Sequence, residues 1–332
     1  MRILVFEYIL GGGLAGLPLP PSLAAEARAM LQALLADLSA VPGVSILLPL
    51  ETRAPRLALP SGVERADVPA ERRTLTELLN PLITGVDALW PIAPEAGGIL
   101  HAIAELTLTH GKTLLASSPA AIALCADKLA VNRLLAKHGL PTAAGETLPQ
   151  ASAPRLPAVA KPRDGLGCQN AFYLDAPQAL EALRRRPDAC EFILQPFYPG
   201  PAVSLSALCA GGQGVLLCCN RQQIARENGQ FKLQGCQVNT GNPLTPFYAD
   251  LIKRIAAALP ELWGYIGVDL IETNQGPIIL EINPRLTTSY AGIGPALGVN
   301  PARLILELLH APPSVPAAAP KSVYINLENP DD

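Results

Sequence analysis

Gly267-Val268-Asp269-Leu270-Ile271-Glu272 and Leu280-Glu281-Ile282-Asn283-Pro284-Arg285 decide how this chain is read. Both runs are apolar enough for buried strands, and Asn274-Gln275-Gly276 between them is turn chemistry, so the pair predicts a hairpin. Each strand carries a carboxylate in its middle. Burying an ionised carboxylate is costly unless it is paired, hydrogen-bonded or metal-bound. A turn centred near Gln275 sets Asp269 opposite Glu281, six positions away on either side. Strand side chains alternate, so Asn283 shares the face of Glu281, while Leu270, Leu280 and Ile282 take the opposite, core face. Two carboxylates and an amide carbonyl on one face form a hard-oxygen set suited to Mg²⁺ or Mn²⁺. The alternative is that Asp269 and Glu281 pair with buried lysine or arginine, which needs no asparagine in register. Glu272, at the hairpin end, reads as solvated.

Working outward, Arg285 follows Pro284 beside this set, and its guanidinium fork can hold phosphate or carboxylate oxygens at two points. Thr287, Thr288 and Ser289 come next, and could bind a substrate through hydroxyls and backbone N–H groups or simply cap a helix. Further upstream, Ala160-Lys161-Pro162-Arg163-Asp164-Gly165-Leu166-Gly167 puts a lysine at a strand end before a loop with two glycines. The lysine supplies a point charge, and the glycines let backbone N–H groups close over phosphate oxygens. It is not a Walker A loop, because G-x-x-x-x-G-K-[ST] is absent, and Gly11-Gly12-Gly13 is not a clean dinucleotide fingerprint.

The rest of the chain frames these clusters. With 332 residues, 49% hydrophobic and 16% charged, the protein has length for two or three domains and is not a disordered chain. A net charge of -3 excludes a basic field for nucleic acid or anionic membrane. No secretory signal opens the sequence. The uncharged stretch Ala202 to Cys219 is broken at Gly211-Gly212-Gln213-Gly214, so it reads as a buried hairpin rather than a membrane span. Seven scattered cysteines without a C-x-x-C fit reduced thiols in the cytoplasm.

Arg2 to Phe6, Val44 to Leu48, Asp87 to Ile92 and Lys112 to Ala116 read as strands, with helices over Ser22 to Leu38 and Gly97 to Thr109. That alternation predicts an α/β unit with a parallel sheet, ending near Ser117. Thr52 to Arg73 reads as an irregular excursion. Ser118-Pro119 and Asp127 start helices, the second ending at Gly139-Leu140-Pro141. The tail from Ala311, rich in proline and alanine, reads as loose.

Three ordered blocks then resemble the ATP-grasp superfamily: Asp127-Lys128, Lys161 with its glycine loop, and Asp269…Glu281-Ile282-Asn283. The resemblance covers about Ser118 to Leu309. It implies a Rossmann-like N-terminal domain over 1–117, an ATP-grasp small subdomain with a glycine lid over 118–187, a large subdomain over 188–311, and a tail over 312–332. By the same resemblance Lys128 and Lys161 hold ATP phosphates, Gly165 and Gly167 lie in the lid, and Asp269, Glu281 and Asn283 ligate Mg²⁺ or Mn²⁺. Arg285, with Lys161, stabilises the transferring phosphoryl group. Glu191 to Gly200 is similar to the family's adenine hinge, with Gln195, the carbonyl of Pro196 and the N–H of Tyr198 at the base. Ala202 and Gln195 depart from acidic residues frequent there.

Phe6-Glu7-Tyr8 before the three glycines, and Ile92-Ala93-Pro94-Glu95, are similar to tyramine–L-glutamate ligases of methanofuran synthesis. A strand-end acid at Glu7 and a first-turn helix acid at Glu95 read equally well. The resemblance implies small-molecule substrates, L-glutamate with tyramine or tyrosine, bound with Glu95, Thr287, Thr288 and Ser289. It also implies an acyl phosphate and, as in similar ligases, a homodimer. A D-Ala–D-Ala-like ligase and a non-catalytic ATP sensor are the alternatives.

Overall fold

A computed structural model describes residues 1–151, 155–165, 168, 170–315 and 321–327. The N-terminal unit alternates β1 (Arg2–Glu7), α1 (Pro21–Ser39), β2 (Ser45–Glu51), β3 (Val63–Val68), α2 (Leu75–Ile83), β4 (Ala88–Ile92), α3 (Ile99–Thr109) and β5 (Thr113–Leu114). Its strands are parallel in the order β3-β2-β1-β4-β5. The expected excursion over Thr52 to Arg73 therefore holds a strand. Its polar sequence, VERADV, hides the signal because β3 is an edge strand and leaves mostly its last residue buried.

Strand order reverses between β1 and β4, and in open parallel sheets ligands bind outside the carboxyl ends of strands at such a switch point. Glu7 ends β1, and Glu95 follows β4, so both stand at that edge. Helix α1 runs beside it. Its buried stripe of Ala24, Ala27, Leu31, Leu34, Leu35 and Leu38 repeats at three and four residues. Each buried leucine contributes about 2 kcal/mol.

Two capped helices follow, α4 (Pro119–Ala126) and α5 (Lys128–Lys137). Ser118 Oγ accepts from Ala121 N–H at 3.1 Å, and Asp127 Oδ1 accepts from Leu129 and Ala130 N–H, both at 3.1 Å. The remaining elements are β6 (Glu146–Thr147), β7 (Ala158–Pro162), β8 (Phe172–Leu174), α6 (Pro177–Arg184), β9 (Phe192–Pro196), β10 (Ala202–Ala210), β11 (Gln213–Glu227), β12 (Gln230–Val238), α7 (Thr245–Ala258), β13 (Gly264–Thr273), β14 (Gly276–Asn283), α8 (Tyr290–Leu297), α9 (Pro301–Glu307) and β15 (Val323–Asn326). Their strands form a second, antiparallel sheet in the order β14-β13-β10-β11-β12-β8-β7-β9-β6.

The tail is not wholly loose: β15 pairs with β12, from Gly235↔Asn326 to Val238↔Val323. Its four residues supply a ladder that proline-rich flanks conceal in the sequence. Gly235 leaves room for this strand, since a Cβ there would come within 2.2 Å of the Tyr324 hydroxyl. Strand β11 also outruns its expected end at Cys219, and the tip of the β11–β12 hairpin meets the β8 region, where Tyr173 N–H donates to Gly229 O at 2.7 Å and Phe231 N–H to Ala171 O at 3.1 Å.

Candidate active site

The β13–β14 register pairs Asp269 with Glu281 and Gly267 with Asn283. The route differs from a simple turn count. The turn pairs Thr273 with Gly276, which without a shift would set Asp269 against Leu280; an irregularity between Asp269 and Leu270 adds one residue on β14 and restores the carboxylate pair. Leu280 is the extra residue. It is half-buried rather than in the core, and Ile279 takes the core position opposite Leu270. The Leu280 carbonyl, freed from the ladder, accepts from Asn132 Nδ2 at 3.2 Å. Asn132 lies one turn after Lys128 on α5, so the bulge fastens the helix bearing Lys128 to the strand bearing Glu281.

The register continues across the sheet, matching Asp269 with Ser204 on β10 and Ser204 with Asn220 on β11. Glu281, Asp269, Ser204 and Asn220 thus form one polar row, with Gln222 two residues beyond Asn220 on the same face. Asp269 accepts from Gln222 Nε2 at 3.0 Å and from Asn283 Nδ2 at 3.2 Å. Lys128 Nζ lies 3.4 Å and Lys161 Nζ 3.8 Å from Glu281 Oε2. Burial acts to raise Glu281, but the two ammonium groups hold it below its ordinary value. Burial first, and then the neighbouring Glu281, push Asp269 well above its own. Lys161 is lowered by burial against the pull of Glu281. The pairing with buried lysine and the oxygen set therefore coexist: the lysines serve Glu281, while Asp269 meets amide donors.

This face opens on a cleft of about 950 Å³, lined by Asp269, Glu281, Asn283, Arg285, Thr287, Thr288 and Ser289 from the C-terminal half. Residues from β1, the first half of α1 and the end of β4 line it from the N-terminal unit. Arg285 Nε donates to Glu95 Oε2 at 2.9 Å across the two units. Burial works against the Arg285 charge, and Glu95 sustains it. Behind the loop, Tyr265 Oη lies 2.8 Å from Thr287 Oγ1, 3.2 Å from Ser289 Oγ and 2.9 Å from Ser206 Oγ. Gly267 permits this packing, since a Cβ there would come 2.7 Å from Thr287 Cγ2. Thr288 Oγ1 donates to Glu26 Oε2 at 3.3 Å, bringing α1 to the same loop.

Lys128 Nζ donates to Gly165 O at 2.5 Å, so the start of the glycine loop reaches the site; Gly167 lies outside the described residues. Lys161 pairs with Ile193 and Val159 with Gln195, so Gln195 shares the face of Lys161. Gln195, Pro196 and Tyr198 do not line the large cleft. Gln195 is buried, and its Nε2 has no partner among the described residues. An unmatched buried donor beside Lys161 fits a base or ribose acceptor. The oxygen set likewise fits a divalent cation: Glu281 adds to the burial that raises Asp269, and a positive ion between the two would relieve it. Glu272 corrects the solvated reading, because Asn242 Nδ2 and Tyr248 Oη each donate to its Oε1 at 2.5 Å.

Sequence reading missed Gln222, Glu26 and the Tyr265 hydroxyl cluster. Gln222 sits in the polar run Arg221-Gln222-Gln223, past Cys219 where the sequence reads the strand as ending, and its partner on β13 carried no signal. Glu26 is one acid on an apolar helix and carries no pattern at all.

Comparisons with known proteins bear on the family and the fold. The ATP-grasp domain family matches residues 125–289, and the pre-ATP-grasp domain family matches 44–122. The tyramine–L-glutamate ligase of Methanocaldococcus jannaschii is 36% identical over 119 residues, 36% of this chain and 35% of that protein. The enzyme of the same name from Methanocaldococcus fervens is 37% identical over 103 residues, 31% of this chain and 33% of that protein. The matched stretch thus spans about a third of the length of these curated relatives. Among solved structures, an ATP-grasp superfamily protein from Archaeoglobus fulgidus superposes with a TM-score of 0.75 at 20% identity, covering 98% of this chain and 92% of that one. The L-amino acid ligase of Bacillus licheniformis gives 0.66 at 16% identity, over 93% and 73%. At these identities the structures speak for the fold alone. Two adjoining domain families in order, the lysines of α5 and β7 converging on a carboxylate of β14, and the shared fold together establish that this chain belongs to the ATP-grasp superfamily.

Proposed function

We propose that the protein is an ATP-dependent carboxylate–amine ligase that works through an acyl phosphate. The observation that carries this reading is the convergence of Lys128 and Lys161 on Glu281, which is paired in register with Asp269 and lines the same cleft as Arg285. In this reading Lys128 and Lys161 exchange Glu281 for phosphate oxygens, and Gly165 and Gly167 close over them. Gln195, Pro196 and Tyr198 hold the base. Asp269, Glu281 and Asn283 would hold Mg²⁺, with Mn²⁺ a substitute, and the ion would screen the triphosphate charge.

The reaction is then positioning and charge stabilisation. A substrate carboxylate oxygen bonds to the γ-phosphorus as the bond to the bridging oxygen of ADP breaks. Arg285, fixed by Glu95, faces the transferred charge. The amine nitrogen next bonds to the acyl carbon, the carbon–oxygen bond to phosphate breaks, and the nitrogen loses a proton. Thr287, Thr288 and Ser289 border the acyl carbon.

We assign L-glutamate as the acid and tyramine or tyrosine as the amine, in methanofuran-type cofactor synthesis, on the likeness to the two archaeal relatives. The protein acts in the cytoplasm, in keeping with seven free cysteines, and among the described residues no helix is long and apolar enough to cross a membrane. A coupled ADP-release screen of L-glutamate against tyramine, tyrosine and D-alanine, with mass detection of product, tests the reading. Amide formation with tyramine or tyrosine is expected. ATP binding without substrate-dependent ADP release would make the protein a nucleotide sensor, and a D-alanyl product would move it to the peptide ligases.

A further inference from the structure

On the N-terminal side of the cleft, Glu7 and Glu26 are acids that form no ion pair among the described residues. Glu7 ends β1, lines the cleft and is 3% exposed. Among the described residues its carboxylate accepts only from neighbouring backbone, Ile9 N–H at 3.1 Å and Leu10 N–H at 2.6 Å. Glu26 lines the same wall from α1 and accepts from Thr288. Burial raises both, and for Glu26 the Thr288 hydrogen bond and the nearby Arg285 charge offset only part of that rise. Glu95 borders this end. One of its oxygens holds Arg285; the other, Oε1, is buried with no hydrogen-bond partner among the described residues. Around these acids the wall is apolar, formed by Leu23, Met30, Ile92 and Pro94.

Buried carboxylates are ordinarily matched by cations, and an acid left unmatched in a cleft marks a place where the ligand brings the charge. The position also accords with ligand binding at the switch point of a parallel sheet. Thr288, in the loop beside Arg285, ties Glu26 to the reacting end.

We propose that this wall is the acceptor subsite, with Glu26 binding the acceptor's ammonium group and Leu23, Met30, Ile92 and Pro94 enclosing its hydrocarbon body. The acceptor class is a primary amine on an apolar, aryl-sized framework. Glu26 holds the nitrogen beside Thr288, from where it reaches the acyl carbon once a proton has left it. This assignment rests on the ligase reading above.

The test compares Glu26→Gln with the unaltered protein, using L-glutamate and ATP with either tyramine or hydroxylamine as the nucleophile. Hydroxylamine is small, largely uncharged at neutral pH and needs neither the carboxylate nor the apolar wall. In Glu26→Gln the KM for tyramine should rise about tenfold or more, and the ratio of kcat/KM for tyramine over hydroxylamine should fall by a similar factor. Met30→Asp, placed on the apolar wall, should lower the same ratio. If Glu26→Gln leaves that ratio within twofold while the unaltered protein makes both products, the subsite is elsewhere and the ligase reading stands. If the unaltered protein forms neither the hydroxamate nor the amide, the ligase reading fails and takes this inference with it. Circular dichroism confirms the fold of each variant.

Discussion

The two walls of the cleft treat buried charge in opposite ways. On the β13–β14 wall each charge has an answer inside the protein: Lys128 and Lys161 stand at Glu281, amides of Gln222 and Asn283 at Asp269, and Glu95 at Arg285. On the β1–α1 wall, among the described residues, Glu7 accepts from backbone donors and Glu26 from one threonine hydroxyl, with the Arg285 charge nearby but no ion pair. The first wall is preorganised, so its geometry exists before any ligand arrives. The second stores an imbalance that a bound cation would resolve. A charged network completed by the protein itself sets shape, whereas one left incomplete sets selectivity.

Removing a charge from the completed wall should have the largest effect. Glu281→Gln leaves Lys128 and Lys161 facing each other and strips one oxygen donor. Turnover should fall about 10²-fold or more in steady-state ADP release, with circular dichroism unchanged. Retained turnover would end the oxygen-set assignment. Lys161→Ala comes next, with a rise in the ATP requirement of about tenfold measured as KM. An unaltered ATP dependence would separate Lys161 from the phosphates.

The incomplete wall gives a stability signature instead. Burial raises Glu7 from 4.5 to about 7, so the folded protein holds a proton there that the unfolded chain releases above pH 4.5. Stability should therefore fall as pH rises from 4.5 to about 7, by about 3 kcal/mol in all, and stay level beyond. Glu7→Gln should flatten this slope in denaturant titrations across that window. An identical slope in the variant would show that Glu7 already has its charge matched.

The smallest effect tests the fastening between α5 and β14. Asn132→Ala leaves the Leu280 carbonyl without its donor and should lower stability by about 1–3 kcal/mol. Because Lys128 sits one turn away, KM for ATP should rise a few-fold as well. Lost stability with unchanged KM would show that Lys128 is placed without the bulge.

Much of the completed wall was legible before any coordinates. A carboxylate inside an apolar run is conspicuous because burial makes it expensive, and Asp269, Glu281 and Asn283 announce themselves in that way. Strands with strong hydrophobic runs, such as β1, β4, β10 and β13, were legible for the same reason. The edge strands β3 and β15 were not, since one polar side and a short ladder leave no period to detect. The Asp269–Glu281 pairing was reached with the wrong turn: a two-residue connection plus a bulge has the same net offset as a wider turn without one, so counting residues could not tell them apart.

What the amino-acid sequence settled by itself was chemical type: which oxygens, ammonium groups and guanidinium are present, and that some of them stand where burial demands a partner. Local order also came from it, because capping, strand period and turn residues act over a few positions. Which partner each buried group meets was decided only by the tertiary structure. Lys128 reaches Glu281 across 153 residues of chain, and Arg285 reaches Glu95 across 190. Contacts at such separations depend on sheet register, a bulge and the docking of two units, and no short-range pattern encodes those. The same holds for Glu26, an ordinary helix acid until folding sets it against Thr288 and the cleft.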